Sequence, residues 1–205
     1  MKERTKAAKK IKDTQTGDAY CFIGMERETK LVLAWHLGGR TTQHTDAFIE
    51  KLNRATAGNF QISTDGFGAY PDAIGYRLGM RTDFATLVKK YVTDPEKRGR
   101  YSPAKITGTE KTAIHGYPKA IRVCTSHIER LNLSVRMQVR RMTRLTNAFS
   151  KSWRNHKAAL ALFFAHYNWV RPHRSLSGCT PAMAADLAAR PWSLEDLLRA
   201  AASHA

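Results

Sequence analysis

An α/β fold is the class this sequence predicts, on three observations. Aromatic and β-branched apolar runs come early, helix-spaced stripes alternate with short strand-like runs through the middle, and helical patterns alone fill the end. At 205 residues the chain is long enough for one sizeable core, or for a core with a helical annex. The 34 basic and 17 acidic residues leave a formal charge of +17, which points to a polyanion, most simply nucleic acid. No apolar run approaches the ~20 residues needed to span a bilayer, and the start lacks a signal-peptide core. A soluble, cytoplasmic protein without a membrane partner is expected.

Residues 1–17 carry six Lys or Arg among the first twelve positions and no alternating apolar pattern. They read as a basic tail or linker, either lying along phosphates or merely solvated. The runs Ala19 to Met25 and Lys30 to Leu37, separated by Glu26-Arg27-Glu28-Thr29, predict a β-hairpin. After Gly38-Gly39-Arg40, the spacing of Ala47, Phe48, Leu52 and Ala55 predicts a helix from Thr42 to Ala57 that ends at Gly58.

Phe60 to Thr64 reads as a short strand delivering Asp65-Gly66-Phe67-Gly68-Ala69-Tyr70 at its end. A carboxylate just past a strand terminus, followed by glycines, can be displayed to a ligand. Asp-Gly is also a common turn pair, and turn chemistry is the simpler account of these residues alone. A helix from Tyr70 to Leu78 and a strand from Phe84 to Lys89 follow. Residues 94–118, rich in Gly, Pro, Ser, Thr and charge, read as a long surface insertion, incidental or contacting DNA.

The densest charge lies from Arg122 to Lys157, where nine Lys or Arg surround one acid, Glu129. Ile128, Leu131, Val135, Val139, Met142 and Leu145 recur every three or four positions, predicting one long basic helix with an apolar face. Glu129 lies about 100° round that helix from Ile128, at the edge of the stripe. It is either a partner for a nearby Arg or a functional carboxylate. Arg136 and Arg140 fall on nearly the same face. A further helix from Lys157 to Val170, a turn at Arg171-Pro172-His173 and a helix near Leu187 to Ala202 complete the chain.

Cys21, Cys124 and Cys179 show no metal-ligand spacing and read as buried thiols. No Gly-rich phosphate loop is present, which argues against a nucleotide-dependent enzyme. His127 reads as a cap or packing residue, with water orientation or DNA contact as its alternative. Trp35, Trp153, Trp169 and Trp192 read as packing residues rather than a base-stacking platform.

With Thr64-Asp65-Gly66 and Tyr70, Thr125-Ser126-His127-Ile128-Glu129-Arg130-Leu131-Asn132, and Arg140 to Lys151, the chain resembles bacterial insertion-sequence transposases of the acid-triad (DDE) class. His166 to Leu176 and Thr180 to Ala185 extend the resemblance, which covers roughly residues 17–198. It implies an α/β, ribonuclease H-like integrase/transposase core at 18–180 containing the 94–118 insertion, with a C-terminal helical segment at 181–205. It also implies DNA as substrate and partner, at least a dimer on DNA, and association with the bacterial nucleoid when DNA-bound. Two Mg²⁺ or Mn²⁺ ions, ~4 Å apart, would serve cleavage at the ends of a mobile element and strand transfer into a target.

By position Asp65 corresponds to the family's second acid and Glu129 to its third, both as metal ligands. The resemblance makes Arg130, Arg136, Arg140, Arg141, Arg144, Lys151, Arg171 and Arg174 candidates for phosphate contact. His166, Asn168, Arg171 and His173 would brace the core.

The family's first acid belongs to a strand that precedes the Gly17-Asp18-Ala19-Tyr20 motif, and residues 1–16 contain no such strand. The expectation is therefore a core lacking its first strand and truncated at its N-terminus, with Asp18 a weak substitute for the missing acid and with impaired strand transfer. A non-catalytic DNA-binding remnant that interacts with full-length copies is the alternative. A ribonuclease H-like nuclease of another type is a third.

Overall fold

The computed structural model describes residues 19–92, 105–143, 150 and 152–203. The chain divides into two compact units: Met1–Gly38 with His127–Ala205, and Gly39–Ser126.

In the first unit, β1 (Tyr20–Met25) pairs antiparallel with β2 (Val32–Gly38), the hairpin read from the sequence. Its turn is built on Glu26, whose carboxylate accepts from the backbone N–H of Glu28 at 2.9 Å and of Thr29 at 2.5 Å and from the Thr29 hydroxyl at 2.6 Å. Burial opposes ionisation of Glu26, but these hydrogen bonds outweigh it and hold its carboxyl below the usual range. Lys30 closes the turn in the left-handed region at φ 62°.

The basic helix α3 spans Ser126–Gln138, α4 spans Trp153–Ala165, and a π-helical turn, His166–Val170, continues α4. Leu131, Val135 and Val139 pack with Val32 of β2 and with Leu160, Phe163, Phe164 and Tyr167 in one apolar cluster. The short α5 (Pro181–Ala184) and α6 (Leu194–Ala202) follow, the latter opened by a capping box between Ser193 and Asp196. The Trp192 ring lies tilted against Trp169 with centroids 4.4 Å apart, and the Trp192 backbone N–H donates to the Trp169 carbonyl.

In the second unit, α1 (Thr42–Arg54) packs beside α2 (Tyr70–Arg77). The Arg77 guanidinium joins them, donating to Asp46 at 2.6 Å and to Glu50 at 2.9 Å. The sheet has the order β3-β4-β5, with β3 (Phe60–Thr64) parallel to β4 (Thr82–Val92) and β4 antiparallel to β5 (Lys105–His115).

Three expectations are corrected. The long basic helix stops at Gln138, because Val139 leaves helical geometry at φ −97° and ψ 93°, and the Thr143 hydroxyl takes the freed Arg136 carbonyl at 2.8 Å. Val139 stays buried and Met142 packs on the same cluster, so the stripe recorded burial rather than helix continuity. Within 94–118, residues 105–115 form a strand rather than a surface loop, because β4 offers them an edge to pair with. The last helix begins at Leu194, where Ser193 supplies the cap, rather than near Leu187.

Candidate active site

Asp65 stands one residue past β3, at the carboxyl end of a strand paired in parallel. Its side chain accepts the Phe67 N–H at 3.2 Å, so the acid shapes its own turn while remaining exposed. Gly66 sits close to the neighbouring strand, and a Cβ there would lie 2.9 Å from Val88 Cγ2. Behind the turn, Phe67 meets Tyr70 edge-on, with centroids 5.6 Å apart at 87°. Burial, then the neighbouring charge of Asp65, pushes the Tyr70 phenol well above its ordinary range, while Arg40 pulls the other way. The turn read from the sequence is present, and Asp65 is exposed in it.

Glu129 lies in the first turn of α3 and is exposed, beside exposed Arg130. Buried Leu131 and Val135 fix the helix and so the direction of Glu129. Two residues earlier, His127 Nδ1 lies 3.4 Å from Lys30 Nζ, whose ammonium also donates to the Arg27 carbonyl. Burial, then the charges of Lys30 and Arg27, lowers the His127 pKa and favours its neutral form.

Arg136 sits on α3, half-buried, whereas Arg140 and Arg141 belong to the short 3₁₀ turn Arg140–Met142. Arg140 therefore does not continue the Glu129 face, although both turn arginines are exposed. Arg171 follows the π-helical turn and Arg174 opens a 3₁₀ turn. Asp18, Arg144 and Lys151 lie outside the described residues.

The bracing role expected of the segment after α4 has a concrete form. The Asn168 amide accepts the Val32 N–H at 3.0 Å and donates to the Val32 carbonyl at 2.9 Å, pairing with β2 as a neighbouring strand would. His173 stacks edge-on against Tyr167 at 4.5 Å and contacts its carbonyl through Nε2 at 3.3 Å. Trp35 packs on the cluster, Trp153 is exposed, and the thiol of half-buried Cys21 is pushed up to about 12 by burial. Lys30 and Arg40 escaped the sequence reading, since a basic residue at a turn is no signal by itself.

Asp65 and Glu129 carry hard oxygen donors of the type divalent magnesium or manganese takes. Each could fill part of an ion's shell, yet no group of three or more His, Cys, Asp or Glu suited to a metal occurs among the described residues. The two acids fall in different units, Asp65 in Gly39–Ser126 and Glu129 in His127–Ala205. Among the described residues no helix is long and apolar enough to cross a membrane. No curated protein and no solved structure matches the chain. Residues 125–181, which run from the residue before α3 to the start of α5, match the family model described as an integrase core domain, which supports an integrase- or transposase-type family and function.

Proposed function

We propose that this chain acts on DNA as the catalytic part of an insertion-sequence transposase of the acid-triad class, built on a ribonuclease H-like core. The observation that carries this is the placement of exposed Glu129 on the first turn of α3, among arginines, inside the segment that matches an integrase core. Arg130, Arg136, Arg140, Arg141, Arg171 and Arg174, with Arg144 and Lys151, would offset phosphate charge and give an affinity steep in salt and nearly indifferent to sequence.

Asp65 and Glu129 would each serve as a ligand for Mg²⁺ or Mn²⁺, an ion that stabilises charge at a phosphorus undergoing in-line displacement. Asp65 is suited to this because its turn is fixed by Phe67 N–H and Gly66 while its carboxylate stays exposed. Glu129 is suited because a packed helix holds it at the surface. Two carboxylates are fewer than the three such chemistry uses, so the chain alone is expected to cut and join DNA weakly. Work at paired DNA ends calls for at least a dimer.

The second reading is a DNA-binding protein without catalysis. It needs only a basic surface, and Arg130, Arg140 and Arg141 are exposed on α3 and the turn after it. Duplex DNA and the purified chain, titrated with salt and then incubated with Mg²⁺ or Mn²⁺, separate these outcomes. Salt-dependent binding with little cleavage is expected. Strong cleavage abolished by Glu129→Gln would overturn the weak-activity expectation, and binding indifferent to salt would remove DNA as the partner.

A further inference from the structure

We propose that the β4–β5 ribbon is a DNA-docking arm of the Asp65 site, one face of which receives the sugar–phosphate backbone over Gly108 and beside Lys90; this rests on the DNA-processing reading above. β3 pairs with β4 only over Thr82–Thr86, whereas β4 runs on to Val92 with β5 as its partner. Beyond Thr86 the sheet is therefore a two-stranded ribbon among the described residues. It starts at the candidate site itself. A Cβ on Gly66 would lie 2.9 Å from Val88 Cγ2, so Val88 lies against the turn that carries exposed Asp65. Alternation along the strand puts Lys90 on the same face as Val88, ~7 Å farther out. Pairing adds Glu110 opposite Val88 and Gly108 opposite Lys90.

The folded chain gives Gly108 no internal reason to be glycine. Its φ is not positive, and a Cβ there would meet no atom within 4 Å among the described residues. A glycine inside a strand weakens it, and its use is to let another backbone come close. Here the space for that backbone lies outside the chain. The charge suits a polyanion: Leu87–Val92 and Ile106–Lys111 hold three lysines, Lys89, Lys90 and Lys111, against one acid, Glu110. Lys90 meets Glu110 at 3.0 Å, with the two side chains 65% and 56% exposed. An ion pair that open to water is weak, so a phosphate oxygen can share or replace the carboxylate at the ammonium. Tyr91, Val92 and Ile106 are exposed farther along the ribbon and offer apolar contact to sugars and base edges. A two-stranded ribbon is narrow enough for the major groove, and it is marginal in water until something covers it.

The test is binding of the full chain to a labelled DNA duplex over a range of salt, followed by fluorescence anisotropy, with urea denaturation of each variant alongside. Gly108→Val should keep or raise the denaturation midpoint, because a β-branched residue suits an open strand position, yet weaken DNA binding several-fold by filling the approach. Lys90→Gln should lower the slope of log affinity against log salt by about 1, while Arg54→Gln on α1 leaves it unchanged. Glu110→Gln should strengthen binding by removing the acid from the same face. Wild-type binding that ignores salt would overturn the DNA reading and this assignment together. Salt-dependent wild-type binding that neither Gly108→Val nor Lys90→Gln alters would overturn this assignment alone. So would wild-type self-association in sedimentation that Gly108→Val abolishes while DNA binding stays unchanged, since the face would then cover a second copy. Lys90→Gln and Glu110→Gln are surface changes, so they decide the matter even if Gly108→Val fails to fold.

Discussion

Asp65 and Glu129 are both exposed carboxylates, yet different physics holds each in place. Glu129 rides on a helix whose opposite face is sealed into a cluster of Leu131, Val135, Leu160, Phe163, Phe164 and Tyr167. Asp65 sits in a turn fixed by backbone pairing of β3 with β4, by its own bond to the Phe67 N–H, and by a glycine pressed against Val88. The first should therefore answer to lost apolar volume and the second to added volume or altered backbone. A candidate acid can be anchored from beneath by a core or along its own chain by a turn.

The largest expected effect comes from Leu160, which is 0% exposed at the centre of the cluster under α3. Leu160→Ala should cost about 2–5 kcal/mol in urea denaturation, through lost transfer energy and a residual cavity. A cost under ~1 kcal/mol would show that this cluster is not what holds the Glu129 helix. Next is Asn168, which pairs with both backbone groups of Val32. Asn168→Leu leaves a buried donor and acceptor unmatched and should cost about 1–3 kcal/mol, read as a shift of the denaturation midpoint.

Smaller still is Gly66→Ala, which brings a Cβ to within 2.9 Å of Val88 Cγ2. Val88 is 41% exposed and can yield, so the cost should fall near the low end of overpacking penalties, about 1 kcal/mol. The double variant with Val88→Ala should recover most of it. Full recovery together with unchanged metal or DNA binding would confine the role of Gly66 to shape.

The smallest effect is a pH slope. Burial first, and then the charge of Arg141, lowers the His156 pKa. His173 is lowered by burial and by Arg171, against an opposing bond to the Tyr167 carbonyl. Between these depressed values and the unfolded value of ~6.5, the unfolded chain binds more protons. Stability is therefore full above ~6.5 and lost as pH falls through the folded-state values. Denaturation midpoints measured from neutral to mildly acidic pH should decline, and less so in His173→Gln. A rise on acidification over that window would contradict the shielding of these two rings from water.

Much of the fold was legible because its signals are local. The Cys21–Phe22–Ile23 and Val32–Leu33–Ala34–Trp35 runs announced a hairpin, and the apolar spacing of Ala47, Phe48 and Leu52 announced α1. Tyr70 to Leu78 was read to within a residue of α2, with Pro71 at its start. The end of α3 was not legible. Val139 continues the apolar stripe and stays buried, so the spacing carries no mark of the break there. Nor was β5, whose Lys, Thr and Gly residues make a strand only in company with β4. Arg40 belongs with these, since its partner Phe67 lies far along the chain.

By itself the sequence determined the charge, the alternation of strands and helices, and the placing of Asp65 at a strand end and Glu129 at a helix start. Those features follow from composition and from periods of two and about 3.6 residues, which the chain carries wherever it folds. Only the tertiary structure decided where the basic helix stops, that a polar segment becomes β5, that Asn168 pairs with Val32, and that Arg40 lies over Phe67. Each depends on two segments distant in sequence meeting in space, and the free energy that selects it belongs to the pair rather than to either segment.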